Sequence, residues 1–233
     1  MSPVNSGITF STDATEGNSR RVSVGIDIDG PFTQPILKLH FPRWVPGSYF
    51  LREPIQHMTE FVAIDDAGVE LNSFRYEVDA MKIKVPQNTK SISITYKLLA
   101  TELSCRSNHL DSSHIYIMPP FTWFLPTSGI NLERMNQKHS ISLHTPSSWS
   151  AATQYKLENS TSCKGVLTGN DGTTYLFSAP NRDELLDGII EANENENICW
   201  KVDGRNHILK LWDSGGHPID IEMLEKFKLD MNK

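Results

Sequence analysis

Apolar and polar residues alternate along most of the chain between positions 22 and 211. In the clearest run, residues 91–98, an apolar side chain occupies every second position from Ile92 to Leu98. A period of two is typical of a strand that buries one face and exposes the other. The same pattern, in shorter runs, predicts further strands at 22–28, 36–41, 59–64, 74–78, 81–85, 115–118, 139–144, 173–177, 198–202 and 207–212.

The segments between and after these runs complete the predicted architecture. Many short strands joined by turns rich in Asp, Gly, Asn and Pro predict a mainly β fold, either an antiparallel β-sandwich or a curved open sheet. Near the end of the chain, apolar residues from Ile221 to Met231 recur at helical spacing, and Asp220 can cap a C-terminal helix. We therefore divide the chain into a flexible segment at 1–20, a β-rich domain at 21–215 and a helical segment at 216–233.

Charge and composition narrow the choice of partners and compartment. The 22 basic and 28 acidic residues give a net charge of −6, which argues against nucleic acid or an anionic membrane as a partner. The sequence has no secretory signal and no stretch apolar enough to span a bilayer, so we predict a cytoplasmic location without a membrane partner. Three scattered cysteines, Cys105, Cys163 and Cys199, predict reduced thiols rather than disulfides.

Residues 39–53 differ from ordinary strand sequence. Pro46 and Gly47 predict a tight turn after a strand, because proline fixes its φ angle and glycine tolerates a positive one. Trp44 and Tyr49 flank that turn. The simplest interpretation is a structural corner that these two aromatic side chains clamp by becoming buried.

Four segments in order resemble the amino-terminal domain of the M61 (glycyl aminopeptidase) family of zinc peptidases. Residues 44–53 are similar to the family's Trp-x-Pro-Gly-Ser-Tyr-x-x-Arg-Asp stretch, with Arg52 in place and Glu53 replacing the Asp. Residues 96–111, which include Arg106 and Asp111, resemble a strand ending in Leu-Ser-Val-Arg that a Leu-Asp pair follows. Residues 146–153 resemble Pro-x-x-Trp-x-x-Ala-Thr, and residues 183–187 resemble Asp-Glu-Leu-Leu-Asp. The resemblance therefore covers nearly the whole chain.

This resemblance implies a non-catalytic domain that packs on a catalytic domain and helps to shape its substrate cleft. Family members bind zinc through His-Glu-x-x-His on a helix of the catalytic half, and this sequence lacks that motif. We therefore expect no cofactor, no metal site and no peptidase activity in this chain alone, and zinc only in the catalytic domain. That domain is the expected partner, in cis in a full-length parent, and the helix at 216–233 is expected to lead toward it.

The resemblance also implies roles for charged residues. Arg52, Glu53 and Arg106 are expected to pair within the domain, since buried charges need partners. By position, Glu191 matches the Glu of the family's Asp-x-Pro-x-Glu-x-Gly element, which implies a place on the substrate-facing edge. There its carboxylate would bind the free α-amine that an aminopeptidase recognises. The family's Pro and final Gly are missing here, and the alternative is a solvated loop acid.

Two histidine pairs share a spacing of five residues. His109 and His114, with Asp111 between them, are predicted to lie in a loop, and a metal hydrolase that uses them as ligands is one alternative function. His139 and His144 lie on a predicted strand, where an odd separation puts two side chains on opposite faces. A further alternative of a different class is a free-standing β-sandwich binding or interaction module without peptidase activity.

Overall fold

The structure is a computed structural model that describes residues 5–45, 48–213, 215 and 220–231. Its strands are β1 (Asn5–Asp13), β2 (Arg21–Asp29), β3 (Ile36–His40), β4 (Met58–Asp65), β5 (Ser73–Glu77), β6 (Ala80–Lys84), β7 (Ser91–Leu99), β8 (His109–Leu110), β9 (His114–Ile117), β10 (Leu125–Ser128), β11 (Lys138–Thr145), β12 (Ser150–Thr153), β13 (Lys156–Lys164), β14 (Asp171–Ala179), β15 (Ile190–Asn193), β16 (Ile198–Val202) and β17 (Arg205–Leu209). Its α helices are α1 (Arg182–Asp187) and α2 (Ile221–Met231), and 3₁₀ turns occur at Gly17–Ser19, Pro54–His57, Pro119–Phe121 and Leu132–Asn136. The predicted mainly β fold with a C-terminal helix is confirmed.

The largest sheet has the strand order β13-β14-β11-β1-β2-β7-β4. Neighbouring strands are antiparallel except β1 and β11, which pair in parallel. Along β7, the alternate residues from Ile92 to Leu98 are buried, and the facing residues of β2 from Val22 to Ile28 are buried as well. The alternation seen in the sequence therefore selects the face of the sheet that lines the core.

Strand β1 corrects the prediction that residues 1–20 form a flexible segment. It lies inside the largest sheet, between β11 and β2, and its Ile8 and Phe10 side chains are fully buried. Polar residues of the same strand, including Thr12 and Asp13, are also buried. Because Ser, Thr and Asn dominate this segment, its composition concealed a strand that belongs to the core of the fold.

Aromatic side chains fill the core beneath this sheet. The rings of Phe41 and Phe124 stack with their centroids 3.8 Å apart, and Trp123 packs 5.3 Å from Phe10. The buried hydroxyl of Tyr96 donates a hydrogen bond to the carbonyl of Thr122 at 2.6 Å. Burial raises the pKa of Tyr96 well above its ordinary value, so this hydroxyl keeps its proton and its hydrogen bond.

Two smaller sheets and a hairpin complete the described part of the chain. One sheet has the order β10-β3-β6-β5, the other has the order β12-β15-β9-β8, and β16 pairs with β17. In the β12-β15-β9-β8 sheet, Ile115, Ile117 and Ala192 are fully buried on one face. The alternate residues of the same strands therefore form a second, polar face.

Helix α2 begins as the sequence predicts. The backbone N–H of Met223 donates to the Asp220 carboxylate at 2.9 Å, which is an N-cap contact. Apolar side chains of this helix are exposed, Ile221 at 71% and Leu229 at 66%, while the Phe227 ring lies 6.0 Å from that of Trp200. Each helix in the described residues is too short or too polar to cross a membrane.

Candidate functional site

Glu191 lies on strand β15, at the polar face of the β12-β15-β9-β8 sheet. Its neighbours Ile190 and Ala192 are fully buried on the core face, so Glu191 and Asn193 project from the opposite face. Strand β15 pairs with β9, so that Glu191 lies opposite Tyr116 and Asn193 lies opposite His114. The interpretation of Glu191 as a loop acid is wrong, because its backbone is part of a sheet.

His109 and His114 lie on the same polar face, on the two strands of the β8–β9 hairpin. The hairpin pairs His109 with Tyr116, and Leu110 with Ile115 on the buried face. Both histidines are 3% exposed, and their Nδ1 atoms are 3.1 Å apart. The prediction that these histidines occupy a loop is therefore wrong, because the short turn at 111–113 brings two strands together.

A carboxylate stands at each end of this histidine pair. His114 Nε2 is 3.3 Å from Glu191 Oε1, and His109 Nε2 is 3.8 Å from Asp111 Oδ2. The Nδ1···Nδ1 contact needs one proton between the two rings. The outer nitrogen of each ring, Nε2, is turned toward one of the two carboxylates.

Asp111, His109, His114 and Glu191 form a row of neighbouring side chains. Burial and hydrogen bonding shift the pKa values of His109 and Asp111 in this row. Burial lowers the pKa of His109, although the negative charge of Asp111 opposes that effect. Burial alone would raise the pKa of Asp111, but hydrogen bonds from the backbone and hydroxyl of Ser113 outweigh it and leave the pKa below its ordinary value. Asp111 is thus a carboxylate at neutral pH, available to the imidazole beside it.

The segment after β17 covers the histidine pair. The indole of Trp212 stacks on His114 with ring centroids 4.2 Å apart and an interplanar angle of 17°. Its Nε1 donates to Ser113 Oγ at 3.1 Å. Lys210 donates to Ser150 Oγ at 2.6 Å, and burial lowers its pKa to about 8 against the opposing charge of Glu191. Trp212 and Lys210 therefore enclose the site on this side.

The corner at 41–53 has a different structure from the one predicted. Trp44 is 55% exposed and Tyr49 is 97% exposed, so the prediction of an aromatic clamp is wrong. Backbone hydrogen bonds hold the loop instead, from Arg52 N–H to the Arg43 carbonyl at 2.8 Å and from Ser48 N–H to the Val45 carbonyl at 3.1 Å. Because the loop closes through its backbone, its aromatic side chains are free to face outward. Pro46 and Gly47 of the family motif lie outside the described residues.

The predicted pairing among Arg52, Glu53 and Arg106 is not among the contacts of the described residues. Glu53 instead meets Arg43 at 3.5 Å, and the buried Nε of Arg52 has no hydrogen-bond partner there. The three predicted residues do line one cleft of about 140 Å³, together with His57 and other residues of the neighbouring turn. The structure thus brings them to one place without pairing them.

A third cluster was missed by the sequence analysis. Among the described residues, one group places three potential metal-ligating atoms within 4.8 Å of one another, and it consists of His40, Glu77 and Asp79. Its members come from the last residues of β3 and β5 and from the β5–β6 turn. No spacing motif joins these positions, so only the pairing of the strands could reveal the cluster.

Comparison with known proteins relates this chain to a domain of a peptidase family. Residues 9–193 match the family described as the peptidase M61 N-terminal domain. This range includes the histidine pair and Glu191, and it ends before Lys210 and Trp212. No curated protein matches the chain.

Solved structures share the fold over most of the chain. An aminopeptidase N family protein from Idiomarina loihiensis is 21% identical, with a TM-score of 0.77, over 94% of this chain and 34% of that protein. An M1 zinc metallopeptidase from Deinococcus radiodurans is 11% identical, with a TM-score of 0.50, over 95% of this chain and 51% of that protein. This chain therefore spans about a third to a half of the length of these proteins.

Proposed function

The chain belongs to the peptidase M61 N-terminal domain family, and from that premise we propose that it packs on the catalytic domain of an M61 aminopeptidase and shapes its substrate cleft. The catalytic zinc of such an enzyme needs a His-Glu-x-x-His motif, which these 233 residues do not contain. The residues of this chain therefore do not fit the role of binding the catalytic zinc. In this proposal the domain contributes shape and polar contacts to a site whose metal belongs to the catalytic half.

The exposed corner is the observation that carries the packing proposal. Beside the largely exposed Trp44 and Tyr49, Phe50 is 67% and Leu51 is 65% exposed. Burying one such side chain contributes about 1.5–3 kcal/mol, and apolar groups clustered in one exposed loop are typical of a surface that a partner covers. The exposed apolar side chains of α2, near the end of the described chain, extend the same argument.

The setting of Glu191 supports a role in recognising the α-amine of a substrate. Its side chain is 25% exposed, so one side of the carboxylate faces solvent while His114 contacts the other. A carboxylate that a buried neighbour holds in place can accept charge-assisted hydrogen bonds from a primary ammonium group. Glu191 is accordingly the substrate-contacting residue of the proposal, and His114 is the residue that positions it.

The cleft lined by Arg52, Glu53 and Arg106 favours the alternative, a free-standing binding module without peptidase activity. Charged groups around a small concave surface are suited to a polar ligand. The cleft belongs to this chain alone and needs no catalytic half. The two functions therefore differ in whether the exposed apolar side chains of the corner or the charged side chains of the cleft bind the partner.

Association with a catalytic half separates the two functions. The chain is mixed with the catalytic half of the Idiomarina loihiensis protein, and the complex is measured by sedimentation. A Tyr49→Ser, Leu51→Ser double variant should weaken the complex about 30-fold or more, as loss of an interface anchor of about 2 kcal/mol does. Val166→Ser is the matched control, since Val166 is 99% exposed and lies outside the corner. An unchanged dissociation constant for the corner variant would contradict the packing proposal.

A further inference from the structure

The end of β3 and the β5–β6 turn bring three potential metal ligands together. Strand pairing places Ala80 opposite His40 on one side and opposite Glu77 on the other. Asp79 precedes Ala80 directly, and its carbonyl accepts a hydrogen bond from the Phe41 N–H at 2.9 Å. We propose that His40, Glu77 and Asp79 bind one divalent transition-metal ion at this point, separate from the zinc of any catalytic domain.

The carboxylate of Asp79 is the first reason for this inference. The residue is only 9% exposed, and its Oδ2 lies 3.9 Å from His40 Nδ1, which is too long for a hydrogen bond. A carboxylate that is largely removed from water is stabilised by a cation at close range. An ion between His40 and Asp79 supplies that cation.

The orientation of His40 is the second reason. Its Nε2 lies 2.5 Å from the hydroxyl of Tyr76, and the tautomer that donates Nε2–H to this oxygen leaves the Nδ1 lone pair facing the two carboxylates. A β-bulge between Arg75 and Glu77 turns Tyr76 toward the histidine. Metal-binding imidazoles are commonly fixed by a hydrogen bond from the nitrogen that does not bind the metal.

The donor set and the surrounding charges indicate the class of ion. One imidazole nitrogen and two carboxylate oxygens suit Zn²⁺ or Mn²⁺ better than Ca²⁺, which prefers oxygen ligands alone. Lys82 Nζ lies over the Tyr76 ring at 4.1 Å from its centroid, and Lys38 lies at 5.9 Å. The Lys82 ammonium group therefore contacts the aromatic ring, and within the described residues neither lysine forms an ion pair with the cluster.

The consequence concerns the exposed corner. Residue 40 is the last residue of β3, and the corner segment follows directly. An ion held by residues of both β3 and the β5–β6 turn would fix the point from which the corner leaves the sheet. Metal binding at this point should therefore raise the stability of the chain on its own, whether or not a catalytic domain is present.

Titration of the metal-free chain with Mn²⁺, followed by the loss of the free-ion electron paramagnetic resonance signal, tests the site. We expect one ion per chain, and His40→Ala should remove binding. Tyr76→Phe should weaken it about 10–100-fold, the usual effect of losing a partner that orients a ligand. His57→Ala is the matched control, because His57 is exposed and does not belong to the cluster. Manganese avoids competition from the three exposed cysteines.

A second variant keeps the test decisive if a substitution perturbs folding. Asp79→Asn should abolish the rise in melting temperature that Mn²⁺ produces in the unaltered chain, because it removes one of the two negative charges that bind the ion. Binding that survives in His40→Ala would overturn the proposal, as would a Mn²⁺-induced rise in Asp79→Asn equal to that of the unaltered chain. Failure of the chain to bind any catalytic half leaves this test unaffected.

Discussion

The two histidine pairs have the same spacing in sequence and opposite arrangements in the fold. His139 and His144 lie on one strand, β11, and have separate partners. His109 and His114 lie on two strands of a hairpin and contact each other at 3.1 Å. The strand keeps two side chains apart when their separation is odd, whereas a short turn between them brings them to one face.

The partners of each pair indicate what it can do. His139 lies between the Met135 carbonyl at 3.0 Å and the Ser6 hydroxyl at 2.9 Å, so neutral groups satisfy both ring nitrogens. The row through His109 and His114 ends instead on the carboxylates of Asp111 and Glu191. Neutral partners fix a histidine as a structural group, whereas carboxylates allow a histidine to hold a proton and to orient an acid.

The largest expected effect is on stability, at the structural histidine. His139→Ala should lower the free energy of unfolding by about 3 kcal/mol, because it opens a cavity and leaves the Met135 carbonyl and the Ser6 hydroxyl unpaired. Urea denaturation measures this change. His57→Ala, at an exposed position, should stay within about 0.5 kcal/mol of the unaltered chain. A similarly small change for His139→Ala would show that its partners are dispensable.

His114→Ala should destabilise the chain less, by about 2 kcal/mol, since it unpairs His109 and removes the contact of Glu191. The same variant should also release the Trp212 indole from its stacked position. The difference in tryptophan fluorescence between the folded variant and the unaltered chain follows that release, and the same difference should be absent when Trp212→Phe is present in both. If the emission of the variant matches that of the unaltered chain, stacking on His114 is not what holds the Trp212 indole over the site.

The pH dependence of stability is a smaller effect that both pairs share. Burial lowers the pKa of His109 and of His139, so each binds a proton less readily in the folded chain than in the unfolded chain. Below about pH 6.5, the ordinary pKa of histidine, the unfolded chain takes up more protons, and the free energy of unfolding falls as the pH falls.

Single variants assign that pH dependence. His139→Gln and His109→Gln should each reduce the slope of the unfolding free energy between pH 7 and pH 5, measured by urea denaturation. His57→Gln, at the exposed histidine, should leave the slope unchanged. A slope that is the same in all three variants would mean that these buried histidines take up protons as readily in the folded chain as in the unfolded one.

Much of the fold could be predicted because alternation marks strands with one buried face, as it does in β7. It fails for β13, whose residues from Lys156 to Lys164 are all exposed at the edge of the largest sheet, so no apolar period is present. It also fails for β1, where buried Ser and Thr occupy core positions. The parallel pairing of β1 with β11 has no signature in either strand.

The candidate site was predictable only in part. The family resemblance selected Glu191, but its contact with His114 depends on the pairing of β9 with β15, a four-residue strand that the pattern of apolar residues did not predict. The corner was predicted to bury Trp44 and Tyr49 on the general tendency of aromatic residues to be buried. That tendency does not apply to side chains whose loop closes through backbone hydrogen bonds, and the exposed rings became the main support for a docking surface.

The most direct test of the account is the Michaelis constant of an assembled enzyme. Residues 1–231 of this chain replace the matching part of the Idiomarina loihiensis protein, and cleavage of a glycyl substrate with a free amine is measured for Glu191→Gln. Glu196→Gln, at an exposed acid on the same segment, is the control. We predict a Michaelis constant raised about 10–100-fold for Glu191→Gln, the loss of a charge-assisted hydrogen bond of about 1.5–3 kcal/mol, and no change for the control. Equal Michaelis constants for the two variants would contradict the claim that Glu191 faces the substrate.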